Sequence, residues 1–143
     1  MLDRHAGNMA TFQTLISSDS VRKALNTWKR REFKYGDADC CSFVAHVASE
    51  LTGRDYKKFI TYANESEAYG IIEAHGGFEA LMDSVFEHQG EPKDGDPCLL
   101  KLPIVGEIMG VKLGDTAVCI TKFGLSQISD RYIIKGWNLC HRQ

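Results

Sequence analysis

Beyond Gly90 the chain changes character, and that change limits the folds open to it. The segment Glu91-Pro92-Lys93-Asp94-Gly95-Asp96-Pro97 is dense in turn residues. Short apolar runs follow, at Cys98–Leu102, Ile108–Leu113, Thr116–Thr121, a stretch after Phe123-Gly124-Leu125, and Tyr132–Trp137. Val, Ile, Thr and aromatic residues in runs of this length favour strands. The connections are too short for crossovers, so the sheet is expected to be antiparallel. Before Gly90 the apolar spacing is helical. Val21, Leu25 and Trp28 form one stripe behind a cap at Ser18-Asp19-Ser20. A second helix is expected from Asp39, with Cys40, Phe43, Val44, Val47 and Leu51 in period and Gly53 just past its end. A third is expected over Ser66–Ala74, ending at His75-Gly76-Gly77. A fourth is expected over Phe78–Glu87, burying Phe78, Leu81, Met82, Val85 and Phe86. Helices first and strands later is an α+β pattern.

With 143 residues and neither repeat nor linker, the chain divides into residues 1–17, an N-terminal arm and lead-in, and residues 18–143, a single domain. Residues 1 to about 10 lack periodicity and are expected to order only against a partner. The net charge of −2 offers no field for nucleic acid. The run Lys29-Arg30-Arg31 reads as a solvated helix face. No apolar stretch reaches the ~18 residues of a membrane span, and the N-terminus lacks a signal-peptide core, so synthesis in a cytoplasm is expected. The five cysteines, Cys40, Cys41, Cys98, Cys119 and Cys140, are odd in number and contain no C-x-x-C. They read as free thiols, and no Cys/His spacing suggests a metal or other cofactor.

The chemistry concentrates at Tyr35-Gly36-Asp37-Ala38-Asp39-Cys40. A helix N-terminus exposes unpaired N–H groups and partial positive charge, which favour a thiolate. Cys40 is therefore the candidate nucleophile. Asp39 is the candidate helix cap, accepting from the N–H of Cys41 or Ser42, although its charge opposes thiolate formation. Cys41 points to another side of the helix and reads as core. The structural alternative is that Cys40 too merely fills space.

An Asp-Cys opening a helix ahead of a small antiparallel sheet resembles the NlpC-type cell-wall peptidases, which share a papain-like core. Closer still are small phage tail-gene relatives of that family. Their pattern of aromatic-Gly-x-x-Asp-Cys, Thr-Gly-x-Asp, Gly-Asp, Gly-Val-x-x-Gly, Gly-Leu and a late Trp is similar to Tyr35–Cys40, Thr52-Gly53-Arg54-Asp55, Gly95-Asp96, Gly110–Gly114, Gly124-Leu125 and Trp137 here. Tyr62 also falls in order, and the series runs over roughly residues 20 to 140. The resemblance implies a papain-like NlpC-type core, a place in the virion tail, partners among other phage tail proteins, and peptidoglycan as a further partner.

One position departs from the pattern. The active family carries its general base, a His, just before Gly-Ile-Tyr-x-Gly. Here the segment is Glu107-Ile108-Met109-Gly110-Val111, and Ile108 occupies that place. A cysteine hydrolase without its imidazole loses the proton acceptor. His46 lies six residues beyond Cys40 on the same helix, a rise of about 9 Å and a rotation of about 240°. His75 and His88 lie at helix ends, and His5 is on the arm. Glu107 is a weak base for a thiol of pKa near ~8.5. His141, after the last strand, is the remaining candidate base. The leading expectation is a tail-tip structural protein that has lost its chemistry. The alternatives are an active cysteine hydrolase with a rearranged base and a module binding peptide or glycan in the old cleft. The basic residues Arg22, Lys29 and Arg30 and the loop Tyr56-Lys57-Lys58 are the expected contact surfaces.

Overall fold

A computed structural model describes residues 19–28 and 31–139. Over these described residues it is an α+β fold of four α-helices and one five-stranded sheet. The helices are α1 (Asp19–Trp28), α2 (Cys40–Thr52), α3 (Glu65–Ala74) and α4 (Phe78–Val85). The strands are β1 (Pro97–Leu102), β2 (Gly106–Leu113), β3 (Thr116–Thr121), β4 (Gly124–Ser129) and β5 (Ile133–Gly136). Their order across the sheet is β4-β3-β2-β1-β5, antiparallel throughout. No helix among the described residues is long and apolar enough to cross a membrane.

Alternation along the strands gives the sheet two apolar faces. Leu99, Met109, Val111, Val118 and Ile120 face one way and join Trp28, Phe43, Val47 and Trp137 in the main core. Cys98, Leu100, Ile108, Ala117 and Cys119 face the other way in a second, smaller cluster. Helix α2 packs on the first face and is the most deeply buried helix, with Phe43 and Val47 fully enclosed. It ends as the sequence predicts, with Gly53 at φ 78° and its N–H donating to Ser49.

Helix α1 buries Trp28, as expected of its stripe, together with Ala24, while Leu25 is partly buried at the core edge and the side chain of Val21 lies outside the described residues. Helix α3 begins one residue early because the Asn64 side chain caps it, accepting from the Glu67 N–H at 2.9 Å. Helix α4 ends at Val85, two residues short of expectation. Phe86 turns extended (φ −113°, ψ 114°), which lets its ring pack against Tyr56 and Trp137. Gln89 then bridges to Trp137 beside β5. Both tryptophans are buried as expected. The Trp137 indole N–H donates to Asp83 at 2.9 Å, and Lys135 pairs with Asp83 and Glu79, fastening β5 to α4.

One expected contact surface changes. Tyr56 is buried, with its ring 5.3 Å from that of Phe86, so only Lys57 and Lys58 of that loop face solvent. Arg31, read as part of a solvated helix face, lies past the end of α1, pairs with Asp37 at 3.0 Å and lies over the Trp28 ring. The expectations for the arm, residues 1–17, for the Ser18 cap and for the side chains of Arg22, Lys29 and Arg30 lie outside the described residues.

Candidate functional site

The turn before α2 sets the position of Cys40. Lys34 and Ala38 bridge across a tight loop in which the N–H groups of Asp37 and Ala38 donate to the Lys34 carbonyl. Gly36, at φ 81°, is needed there twice over. L side chains avoid that backbone region, and a Cβ would overlap the carbonyl oxygen of Tyr62. Asp39 then caps the helix as the sequence predicts. One carboxylate oxygen accepts from the Ser42 N–H at 2.8 Å and the other from the Gly36 N–H at 2.8 Å. The Ser42 hydroxyl returns the bond by accepting from the Asp39 N–H at 2.9 Å, completing a capping box. The Tyr62 hydroxyl also bonds to Asp39, and its own pKa is driven far up by burial and by the neighbouring thiols and carboxylate. Asp39 is thus buried and fully committed to local structure.

Cys40 occupies the first position of α2, partly buried, and touches both apolar clusters. The hydrogen bond from the Cys41 thiol, joined by the backbone N–H of Met109, lowers its pKa against the opposing effects of burial and the Asp39 charge. Asp39 opposes the thiolate as its chemistry predicts, and the donors outweigh it. Cys41 bears the complement: as the donor to Cys40, and buried, its pKa is raised well above the ordinary thiol value. Sequence reading assigns Cys41 to the core. It does pack there, and its thiol also reaches Cys40 and Tyr62. Cys98 and Cys119 are buried under the sheet, which pushes each up to about 12. These four cysteines are free, and no group of side chains suited to a metal occurs among the described residues.

Cys40 opens onto a cleft of about 490 Å³. Phe33, Tyr35, Tyr62, Tyr69, Phe78 and Phe123 supply aromatic wall, and Ile108 and Glu107 line it from β2. The Tyr35 hydroxyl donates to Glu65 at 2.9 Å. No described histidine borders this cleft. His46 is set against Trp28 and lies 3.9 Å from Glu50, and burial and the nearby Lys57 lower its pKa. His75 sits with Nδ1 2.9 Å from the Ile71 carbonyl, and His88 is exposed beside Glu87. His141 and His5 lie outside the described residues. The structure thus brings together Cys40, Asp39, Ile108 and Glu107, and adds Cys41 and Tyr62. Tyr62 has no periodic signal in the sequence. Its place follows from the close approach of its backbone to Gly36.

A family model matches residues 17–139, which is most of the chain. The chain belongs to the family described as a domain of unknown function, DUF6950. The match covers every described helix and strand, so the DUF6950 domain and the α+β fold are one unit. No curated protein matches the chain.

Proposed function

We propose that this DUF6950 domain is a papain-like, NlpC-type module of a phage tail tip that works as a structural or assembly protein and has lost cysteine-hydrolase chemistry. One observation carries the loss of chemistry: the cleft at Cys40 has Ile108 and no described histidine in its wall. A thiol attacking an amide needs a proton acceptor within hydrogen-bond reach, and general-base assistance is worth about 10²–10⁴-fold. Glu107 lines the same cleft as a carboxylate only. The tail assignment is supported by the ordered series of motifs from Tyr35 to Trp137 that resembles small phage tail-gene relatives of NlpC peptidases. The papain-like assignment is supported by a nucleophile-type cysteine opening a helix that packs on an antiparallel sheet.

Two measurements test the proposal. Wild type and Cys40→Ser are both expected to be inert on peptidoglycan stem peptides, and mass spectrometry of purified tails should recover the chain at a fixed stoichiometry. Turnover that vanishes in Cys40→Ser would overturn the first half, and absence from purified tails the second. The lowered pKa of Cys40 favours a second reading, an active hydrolase with a rearranged base. Under that reading His141→Ala would abolish turnover.

A further inference from the structure

The ladder between β2 and β3 stops short. It pairs only Val111 with Val118, Lys112 with Ala117 and Leu113 with Thr116. The flanking ladders continue well past that point. β1 and β2 stay paired out to Leu102 and Gly106, and β3 and β4 out to Thr121 and Gly124. The sheet is therefore continuous at one end and divides into two separate hairpins at the other. Gly110 stands where they part. A Cβ there would come within 2.8 Å of Leu100 Cδ1 and 3.0 Å of the Val118 carbonyl oxygen. A side chain at 110 would wedge the last paired residues apart, so glycine lets the pairing run as far as Val111 and Val118 before the strands divide.

Cys40 sits in this fork, which explains how one residue touches apolar clusters on opposite faces of the sheet. Its sulfur accepts the Met109 N–H, standing in for a missing strand partner at that point. Among the described residues, 106–110 of β2 and 119–121 of β3 have no strand partner across the fork. Glu107, Ile108, Ile120 and Thr121 from these stretches line the 490 Å³ cleft. At its mouth the two hairpin turns hold out Val105 and Phe123, 57% and 96% exposed. Beside Val105, Ile104 is held at φ 70°, a conformation unusual for a β-branched residue, with its side chain wholly in solvent.

We infer that the fork between the β1–β2 and β3–β4 hairpins is a docking slot for an extended segment of another polypeptide, carrying bulky apolar side chains in alternation with basic ones. The inference rests on the non-hydrolytic reading above and names the occupant of that cleft. Two strand edges left unpaired beside apolar wall call for backbone donors and acceptors at strand spacing, which a polypeptide supplies and a lipid does not. Alternate side chains of such a segment meet the aromatic wall. The charge points the same way. Glu65 and Glu107 outnumber Lys122 among the lining groups, with Asp39 already consumed by its cap, so the slot is acidic. Polar side chains such as Glu65, Thr121, Lys122 and Ser126 also line the wall, so a glycan is the competing occupant that the test excludes.

The test uses the full chain and a fluorescent, capped pentapeptide alternating phenylalanine with lysine, read by anisotropy and by amide exchange. The expected result is saturable binding that slows exchange at Glu107 and Ile120, whose amides face the fork. Binding should weaken about ten-fold when alternate peptide amides are N-methylated, and similarly when lysine is replaced by glutamate. Phe123→Ser, at an exposed turn where folding is not at risk, should weaken it by a like factor, and Glu107→Gln should erase the preference for lysine. No binding, equal binding of the N-methylated peptide, displacement by a peptide-free glycan fragment, or a self-dimer already protecting Glu107 and Ile120 would each overturn the inference. Failure here leaves the loss of hydrolysis intact, whereas turnover dependent on Cys40 would overturn that reading without touching the binding data.

Discussion

Replacing Trp137 by alanine is expected to destabilise the domain more than any other single change near the sheet edge. Trp137 is fully enclosed, with its ring 6.2 Å from that of Phe86 and its N–H bonded to Asp83 at 2.9 Å. A tryptophan buries up to about 250 Å², which at ~25 cal/mol/Å² is roughly 6 kcal/mol. Residual burial in the unfolded chain removes roughly 10–40% of that, and alanine keeps its own small share, leaving about 3–5 kcal/mol. The indole–carboxylate hydrogen bond adds about 1 kcal/mol, because Asp83 is part-exposed and recovers water. For a chain of this size each kcal/mol lowers the melting temperature by roughly 3–4 °C, so a fall of about 10–20 °C is expected. Circular dichroism at 222 nm against temperature, with urea titration for ΔG, measures it. Trp137→Phe should recover most of the loss because it keeps the packing and gives up only the hydrogen bond. A loss under 1 kcal/mol for Trp137→Ala, or Trp137→Phe as damaging as Trp137→Ala, would refute the area argument.

Iodoacetamide at pH 7 should label Cys40 well ahead of Cys98 and Cys119, whose thiols burial pushes up to about 12. Peptide mapping by mass spectrometry reads the order, and equal labelling in the native state would contradict it. Those two raised values also set a pH dependence. Each protein-bound thiol keeps its proton where the unfolded chain has lost it, so stability should fall as pH rises from about 9 towards 12 in urea titrations, and Cys98→Ala should flatten that slope. Asp83 carries the opposite sign: hydrogen bonds from Trp137 and Lys135 lower its pKa, so its contribution is present above the ordinary carboxylate range and lost as pH falls below it. Asp83→Asn should remove that acid-side dependence while leaving thermal stability near pH 7 only slightly lower. Gly36→Ala should cost about 1–3 kcal/mol from the positive φ alone, with further loss from overlap with Tyr62, and should alter the alkylation rate of Cys40.

What the sequence made legible follows the reach of its signals. Periodicity found all four helices and the antiparallel sheet, because Phe43, Val44, Val47 and Leu51 on α2 and the alternating runs from Cys98 onward are local patterns. Helix ends were legible where a cap is chemical, as at Asp39 and Gly53. They were missed where the end is tertiary, as at Phe86, which leaves its helix to reach Tyr56 and Trp137. Asp39 was readable as a cap because its partners lie within three residues. Cys41 packs at the core as its sequence reading has it, while its contact with Tyr62, 21 residues further along the chain, has no local signal. The fork was beyond reach altogether: β2 and β3 read as ordinary neighbours, and only the register tells that their pairing ends at Val111 and Val118. That gap, and the placement of Cys40 within it, ties the site together. A thiol that fills a vacant strand position is held by backbone and by its neighbour's S–H, so its acidity has a structural cause that requires no imidazole. A lowered pKa at Cys40 and a cleft wall without a described histidine are therefore compatible, and thiol reactivity alone cannot serve as evidence for hydrolysis.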